Sequence, residues 1–188
     1  MNDLQRQTLL KVAKDTVEAV IRNPKSEIRN PKSDDPQLNA HCGCFVTLKN
    51  QEQLRGCIGQ FTSEGLLIEL VAEMAKASAT GDPRFFGDPI TPDELNELDI
   101  EISVLSPLQR TDNPLGLRLG VDGIYIKRGR ASGCFLPQVA TETGWSKEEF
   151  LSYCCAHKAG IAPDAWRQPG TEVYLFSAEV FGALFDEI

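Results

Sequence analysis

Cys44-Phe45-Val46-Thr47-Leu48-Lys49-Asn50-Gln51-Glu52-Gln53-Leu54-Arg55-Gly56-Cys57-Ile58-Gly59 reads as a β-hairpin, two β-rich runs on either side of a polar stretch. A turn centred on Gln51-Glu52 sets Val46 opposite Cys57 and Cys44 opposite Gly59. Side chains alternate in an extended chain, so Arg55, Cys57 and Gly59 are expected on one face. A guanidinium two residues from a thiol can favour the thiolate, which is both nucleophile and metal ligand. Gly56 and Gly59 suit a bulge or the close approach of a ligand to the backbone. The competing reading makes Cys57 a small buried hydrophobe and the glycines a bend, and the residues by themselves favour it.

Upstream, Leu10, Ala13, Val17 and Ile21 mark one face of a helix over residues 4–22 that stops at Asn23-Pro24. A tandem heptad follows, Ile21 to Glu27 and then Ile28 to Asp34, and its Asn-Pro and Ser content predicts a duplicated surface loop over 23–36. Downstream, Thr62-Ser63 is expected to cap a helix with Leu67, Leu70, Val71, Met74 and Ser78 on one stripe, halted at Gly81. Thr91-Pro92-Asp93-Glu94 is a helix start with a capping box, and Ile90 and Leu95 are placed to staple it. Ile100 to Val104 alternates as a strand, Gly123 to Lys127 and Cys134 to Leu136 form a second hairpin, and Ser146 to Glu149 caps a helix ending at Ala159-Gly160. Glu172 to Phe181 reads as the last strand. Hairpins interspersed with helices, without strict β-α-β alternation, predict an α+β fold with antiparallel sheets and flanking helices.

A chain of 188 residues suits one domain or two lobes sharing a core, and at that size roughly 70% of the unfolded surface is buried. No apolar run approaches the ~20 residues of a membrane span, and the N-terminus lacks a basic segment followed by an apolar one. The six cysteines are therefore read as thiols of a reducing cytoplasm. A net charge of −8 opposes a nucleic-acid surface, and the short basic cluster Lys127-Arg128-Gly129-Arg130 reads as a hairpin tip.

Other groups that could carry chemistry are sparse. His41, Cys42, Cys44 and Cys57 could conceivably converge on a metal, but no CxxC or paired-His spacing supports this, and no metal is expected. Cys154 falls on a core stripe, and His157 near a helix C-terminus is explained by the dipole. Asp82-Pro83-Arg84-Phe85 brackets a rigid Pro with a carboxylate and a guanidinium, either a turn-ordering salt bridge or a ligand clamp. Glu101 faces away from Ile100, Ile102 and Val104, towards solvent. Common nucleotide-binding, zinc-protease and hydrolase signatures do not occur.

From about Gly43 to Phe181 the chain resembles the AMMECR domain family, also called AmmeMemoRadiSam system protein A. The resemblance rests on Leu54-Arg55-Gly56-Cys57-Ile58-Gly59, Asp82-Pro83-Arg84-Phe85, Glu101 to Leu105 and Leu136-Pro137-Gln138-Val139-Ala140. Gly144-Trp145, Phe150-Leu151, Lys158-Ala159-Gly160 and Trp166 complete it. Gln60 departs from the Thr that members often carry there, and the duplicated heptad is not a family feature. The resemblance implies two unequal subdomains around a cleft, here a small lobe of about 108–170 and a large lobe of about 1–107 with 171–188. It makes Cys57 and Arg55 candidate catalytic residues, and Gly56, Gly59, Asp82, Arg84, Glu101 and Gln138 candidate ligand contacts. The family has no settled activity and implies no particular cofactor. Its system name associates it with Memo-like and radical-SAM proteins, hence with a shared modification or redox pathway, either as an enzyme component or as a non-catalytic adaptor presenting a small molecule or peptide.

Overall fold

A computed structural model describes residues 1–26 and 30–188, and the part of the heptad repeat at 27–29 lies outside the described residues. The fold is α+β, with two four-stranded sheets in two compact units, Met1–Val104 with Glu179–Ile188, and Leu105–Ala178. Among the described residues no helix is long and apolar enough to cross a membrane.

In the first unit α1 (Asp3–Arg22) and α2 (Leu67–Thr80) accompany β1 (Cys44–Asn50), β2 (Gln53–Gln60), β3 (Leu98–Leu105) and β8 (Ala178–Leu184), in the order β2-β1-β3-β8. Helix α1 opens on a capping box in which the Asn2 side chain accepts from Gln5 N–H and the Gln5 side chain accepts from Asn2 N–H. Its buried stripe is Leu9, Ala13, Val17 and Val20, with Ile21 only partly buried. Leu70, Val71, Met74 and Ala75 of α2 join them, with Val46, Leu48, Ile100 and Ile102 from the sheet, in one apolar core.

Helix α2 starts later than Thr62-Ser63 predicts. Ser63 Oγ instead accepts from Gly65 N–H, closing a local turn, while Leu67 and Ile68 donate their N–H groups to the carbonyls of Ala40 and Leu38. Two orphan helix donors are thus satisfied by a distant backbone segment, so no side-chain cap is needed at Leu66. The capping box at Thr91 does form, but the turn it opens, Pro92–Glu97, is a 3₁₀ helix.

In the second unit β4 (Gln109–Thr111), β5 (Gly123–Arg128), β6 (Ala131–Phe135) and β7 (Glu172–Phe176) run in the order β4-β7-β5-β6, each adjacent pair antiparallel. The expected single last strand is therefore two strands in two sheets. The break falls at Ser177, whose carbonyl accepts from Ser106 N–H and whose N–H donates to Ser106 Oγ. Glu172–Phe176 lies in the second unit by its pairing, whereas a boundary near 171 would leave it in the first.

Helix α3 (Pro137–Thr143), which the sequence reading does not anticipate, begins with Pro in its first turn and ends on Gly144 at φ 67°. Helix α4 (Lys147–Tyr153) carries the expected capping box of Ser146 and Glu149 and then widens into a π turn, Cys154–Ala159. Phe135, Phe150, Leu151, Cys154 and Trp166 are buried with Ile124 and Ile126 in this unit's core, and burial pushes the Cys154 and Cys155 thiols upward in pKa.

The β1–β2 hairpin closes through Gln51 at φ 47° and Glu52 at φ 68°, the backbone of a two-residue turn that favours glycine. Glu52→Gly is expected to stabilise the protein by about 0.5–1 kcal/mol, as left-handed strain outweighs the entropy of glycine. A urea midpoint that falls or stays put would contradict this.

Candidate functional site

The predicted hairpin forms with a different register. Near the turn Asn50 pairs with Gln53 and Lys49 with Leu54, but Leu48 then pairs with Gly56, which leaves Arg55 as the extra residue of a β-bulge. Beyond the bulge Thr47, not Val46, lies opposite Cys57, and Cys44 lies opposite Gln60. The simple alternation that would align Arg55 with Cys57 is interrupted at this point.

The shift decides which face Cys57 uses. Val46 and Leu48 are fully buried in the core, so Thr47 between them projects from the opposite face, and Cys57 with it. Thr47 Oγ1 donates to Cys57 Sγ at 3.3 Å, and Thr47 also pairs with Glu101 on β3. Cys57, Thr47 and Glu101 thus form one row across three strands. Lys49 Nζ meets Glu101 Oε2 at 3.2 Å beside that row. Cys44 points into the core instead, its thiol pushed upward in pKa by burial, so the conceived set of His41, Cys42, Cys44 and Cys57 does not converge. Among the described residues no group of three or more His, Cys, Asp or Glu is arranged to hold a metal ion.

The sheet order makes β2 an edge strand, and Cys57 turns its backbone N–H and C=O away from β1. Two side chains take the place of a neighbouring strand. Asp82 Oδ2 accepts from Cys57 N–H at 2.9 Å, and Arg84 Nη2 donates to the Cys57 carbonyl at 3.2 Å. Asp82 is itself buried and grips Arg84 twice, Nε at 2.9 Å and Nη2 at 2.6 Å. These bonds from Arg84, together with the Cys57 amide, hold the Asp82 carboxyl down to about 2 despite its burial. The Asp-Pro-Arg-Phe block is thus both a local ion pair and a clamp on the strand that carries Cys57.

Arg55 serves a different segment. Its guanidinium, with the side chain only 10% exposed, meets Glu94 through Nε at 3.0 Å and Nη2 at 3.2 Å, and Asp88 through Nη1 at 2.6 Å. Burial disfavours its charge, but the hydrogen bonds to Asp88 and Glu94 outweigh that and raise its pKa. Arg55 therefore ties the stretch from Asp88 to Glu94 onto β2. A hollow of about 140 Å³ lies here, bordered by Arg55, Ser78, Asp82, Phe85, Phe86 and Ile90.

The glycines of the motif are filled by protein. A Cβ on Gly56 would lie 2.0 Å from the Ser78 carbonyl oxygen, so the bare backbone lets the end of α2 press onto the sheet. There Ser78 Oγ accepts from Ile58 N–H at 2.9 Å and donates to the Val46 carbonyl at 2.7 Å, bridging the β1–β2 ladder. A Cβ on Gly59 would meet the Phe45 ring at 2.3 Å. Gln138 lies on α3 in the second unit, where its carbonyl accepts from Thr141.

Sequence reasoning missed Thr47, Lys49, Asp88 and Glu94 as members of this constellation. Thr47 was hidden by the bulge. Ser78, a polar residue on the apolar stripe of α2, was the available signal for a buried hydrogen-bond bridge.

The AMMECR1 family model matches residues 10–181 of the chain. A protein of Methanothermobacter thermautotrophicus is 43% identical over 180 residues, covering 93% of this chain and 92% of its own. Protein TK0174 of Thermococcus kodakarensis is 40% identical over 183 residues, covering 92% and 87%. The crystal structure of uncharacterized protein PH0010 from Pyrococcus horikoshii superposes with a TM-score of 0.86 at 37% identity, covering 97% of this chain and 93% of that one.

Proposed function

The chain belongs to the AMMECR1 family, and from that premise we propose that it supplies a cysteine-centred component of a modification or redox pathway shared with Memo-like and radical-SAM proteins. Cys57 is the reacting group, as nucleophile or ligand. The observation that carries this reading is the hydrogen bond from Thr47 Oγ1 to Cys57 Sγ, in a row that ends on the carboxylate of Glu101. The Thr47 hydroxyl is aimed at the sulfur, and the half-buried thiol lies on the sheet face away from the core.

The test is co-purification with candidate Memo-like and radical-SAM proteins, with mass analysis of Cys57 and of small molecules retained. Cys57→Ser is expected to fold, to keep its partners, and to lose both pathway output and any adduct on residue 57. Full output from the folded Cys57→Ser protein would end the cysteine-centred reading.

A second reading, a non-catalytic adaptor, is favoured by Arg55. Its charge is matched by Asp88 and Glu94, and the segment it tethers displays Phe86 with 66% of its surface exposed. On that reading Phe86→Asp abolishes co-purification without changing the melting temperature, whereas Cys57→Ser leaves pathway output intact.

A further inference from the structure

We infer that the surface beside Cys57 takes a small anionic substrate, one bearing a carboxylate or a phosphate, and that the docking group is Arg84 rather than Arg55. The inference rests on the reading that Cys57 is the reacting group, and it names the class of molecule brought to it.

The two arginines differ in what their charges face. Arg55 is nearly buried and hydrogen-bonds two carboxylates, so its donors are engaged within the protein. Arg84 is 54% exposed. Its Nε and Nη2 are engaged by Asp82, and Nη2 also reaches the Cys57 carbonyl, whereas among the described residues no carboxylate or carbonyl oxygen accepts from Nη1. A guanidinium gripped along one edge by a buried carboxylate loses little freedom when an anion meets its remaining Nη1 donors. The cation–π contact with Phe85, with the guanidinium carbon 5.6 Å from the ring centroid, adds to its fixed orientation.

Arg84 is also coupled to the thiol. Its pKa is raised first by the hydrogen bonds it donates to Asp82, and charge and hydrogen-bond interaction with the Cys57 side chain add to that. Because Nη2 of the same guanidinium lies 3.2 Å from the Cys57 carbonyl, an anion on Nη1 sits beside the residue that carries the sulfur. The same clamp fixes both ends of the arrangement, since Asp82 orients Arg84 and accepts from the Cys57 amide.

The test compares alkylation of Cys57 by iodoacetate and by iodoacetamide, resolved by peptide mass mapping. In either reaction the sulfur–carbon bond forms, iodide leaves, and the thiol proton passes to water. The reagents differ in charge, so their rate ratio, normalised to 2-mercaptoethanol, reports an anion site beside the sulfur. The expected ratio exceeds the reference by roughly tenfold, the scale of local concentration by a fixed cation. Arg84→Gln should bring it to the reference value, and Arg84→Lys should keep part of the preference, both in variants with melting temperatures checked. Inorganic phosphate and succinate, added as competitors, distinguish the two ligand sources by which slows iodoacetate at the lower concentration.

A ratio equal to the reference and unchanged by Arg84→Gln, with Cys57 labelled, overturns the anion site while leaving the thiol reading intact. Failure of Cys57 to label with either reagent overturns the thiol reading instead. In that case titration of the ¹⁵N-labelled protein with phosphate and succinate decides the anion site: shifts of the Arg84 side-chain resonances sustain it, and their absence ends it.

Discussion

Gly56→Ala is expected to destabilise the protein by at least about 3 kcal/mol, the upper range for forcing extra atoms into a packed interior. The added methyl would lie 2.0 Å from the Ser78 carbonyl oxygen and 2.8 Å from its carbon, both backbone atoms at the end of α2. No rotamer change relieves such a contact, so either β2 or the end of α2 must move. Movement of α2 would draw Ser78 Oγ away from Ile58 N–H and the Val46 carbonyl and strand buried polar groups. Gly87→Ala is the internal control, because a Cβ there has no heavy atom within 4 Å. It should change stability by no more than a few tenths of a kcal/mol, within the ordinary range for surface substitutions. Equal denaturation midpoints for the two variants would mean that α2 does not press on Gly56 as described.

Asp82→Ala is expected to cost roughly 1–3 kcal/mol near neutral pH, because it leaves the Cys57 amide without its acceptor and the half-exposed Arg84 guanidinium without its partner. This loss has a pH signature. The Asp82 carboxyl, at 3.8 in the unfolded chain, is held down to about 2 when folded, first by the Arg84 hydrogen bond. A depressed carboxyl contributes stability that is complete above the unfolded value and fades as pH falls towards the folded one. The difference between wild type and Asp82→Ala should therefore be largest above 3.8 and shrink as pH approaches about 2. Urea denaturation of both proteins across that window measures it. A difference that stays constant throughout would show that Asp82 acts by packing alone.

Both predictions concern residues whose importance the sequence made visible without showing their work. Gly56 and Asp82 stand in blocks that single out the family, yet Gly56 as a ligand contact and Asp82 as a local bridge were equally open from spacing. What separates these roles is contact across long stretches of chain. Ser78 approaches Gly56 from α2, and Asp82 reaches Cys57 from a turn twenty-five residues downstream.

Local periodicity was enough for the β1–β2 hairpin, the apolar stripe of α2 and the capping boxes at Thr91 and Ser146, because each depends on neighbours within a turn or two of chain. The α+β class with antiparallel sheets followed from how these elements alternate. The start of α2 is not legible in its own sequence because its first donors are satisfied by Leu38 and Ala40, far outside any capping window. The pattern over 172–181 shows a single strand because the break at Ser177 is made through Ser106, a residue on another connection. The partner of Cys57 was decided by a single extra residue. Arg55 is drawn out of the ladder to meet Asp88 and Glu94, and every pairing beyond it moves by one, bringing Thr47 to the sulfur in place of Val46. A strand's alternation records which faces are apolar, but a bulge is held by distant partners, and only the folded chain brings those partners together.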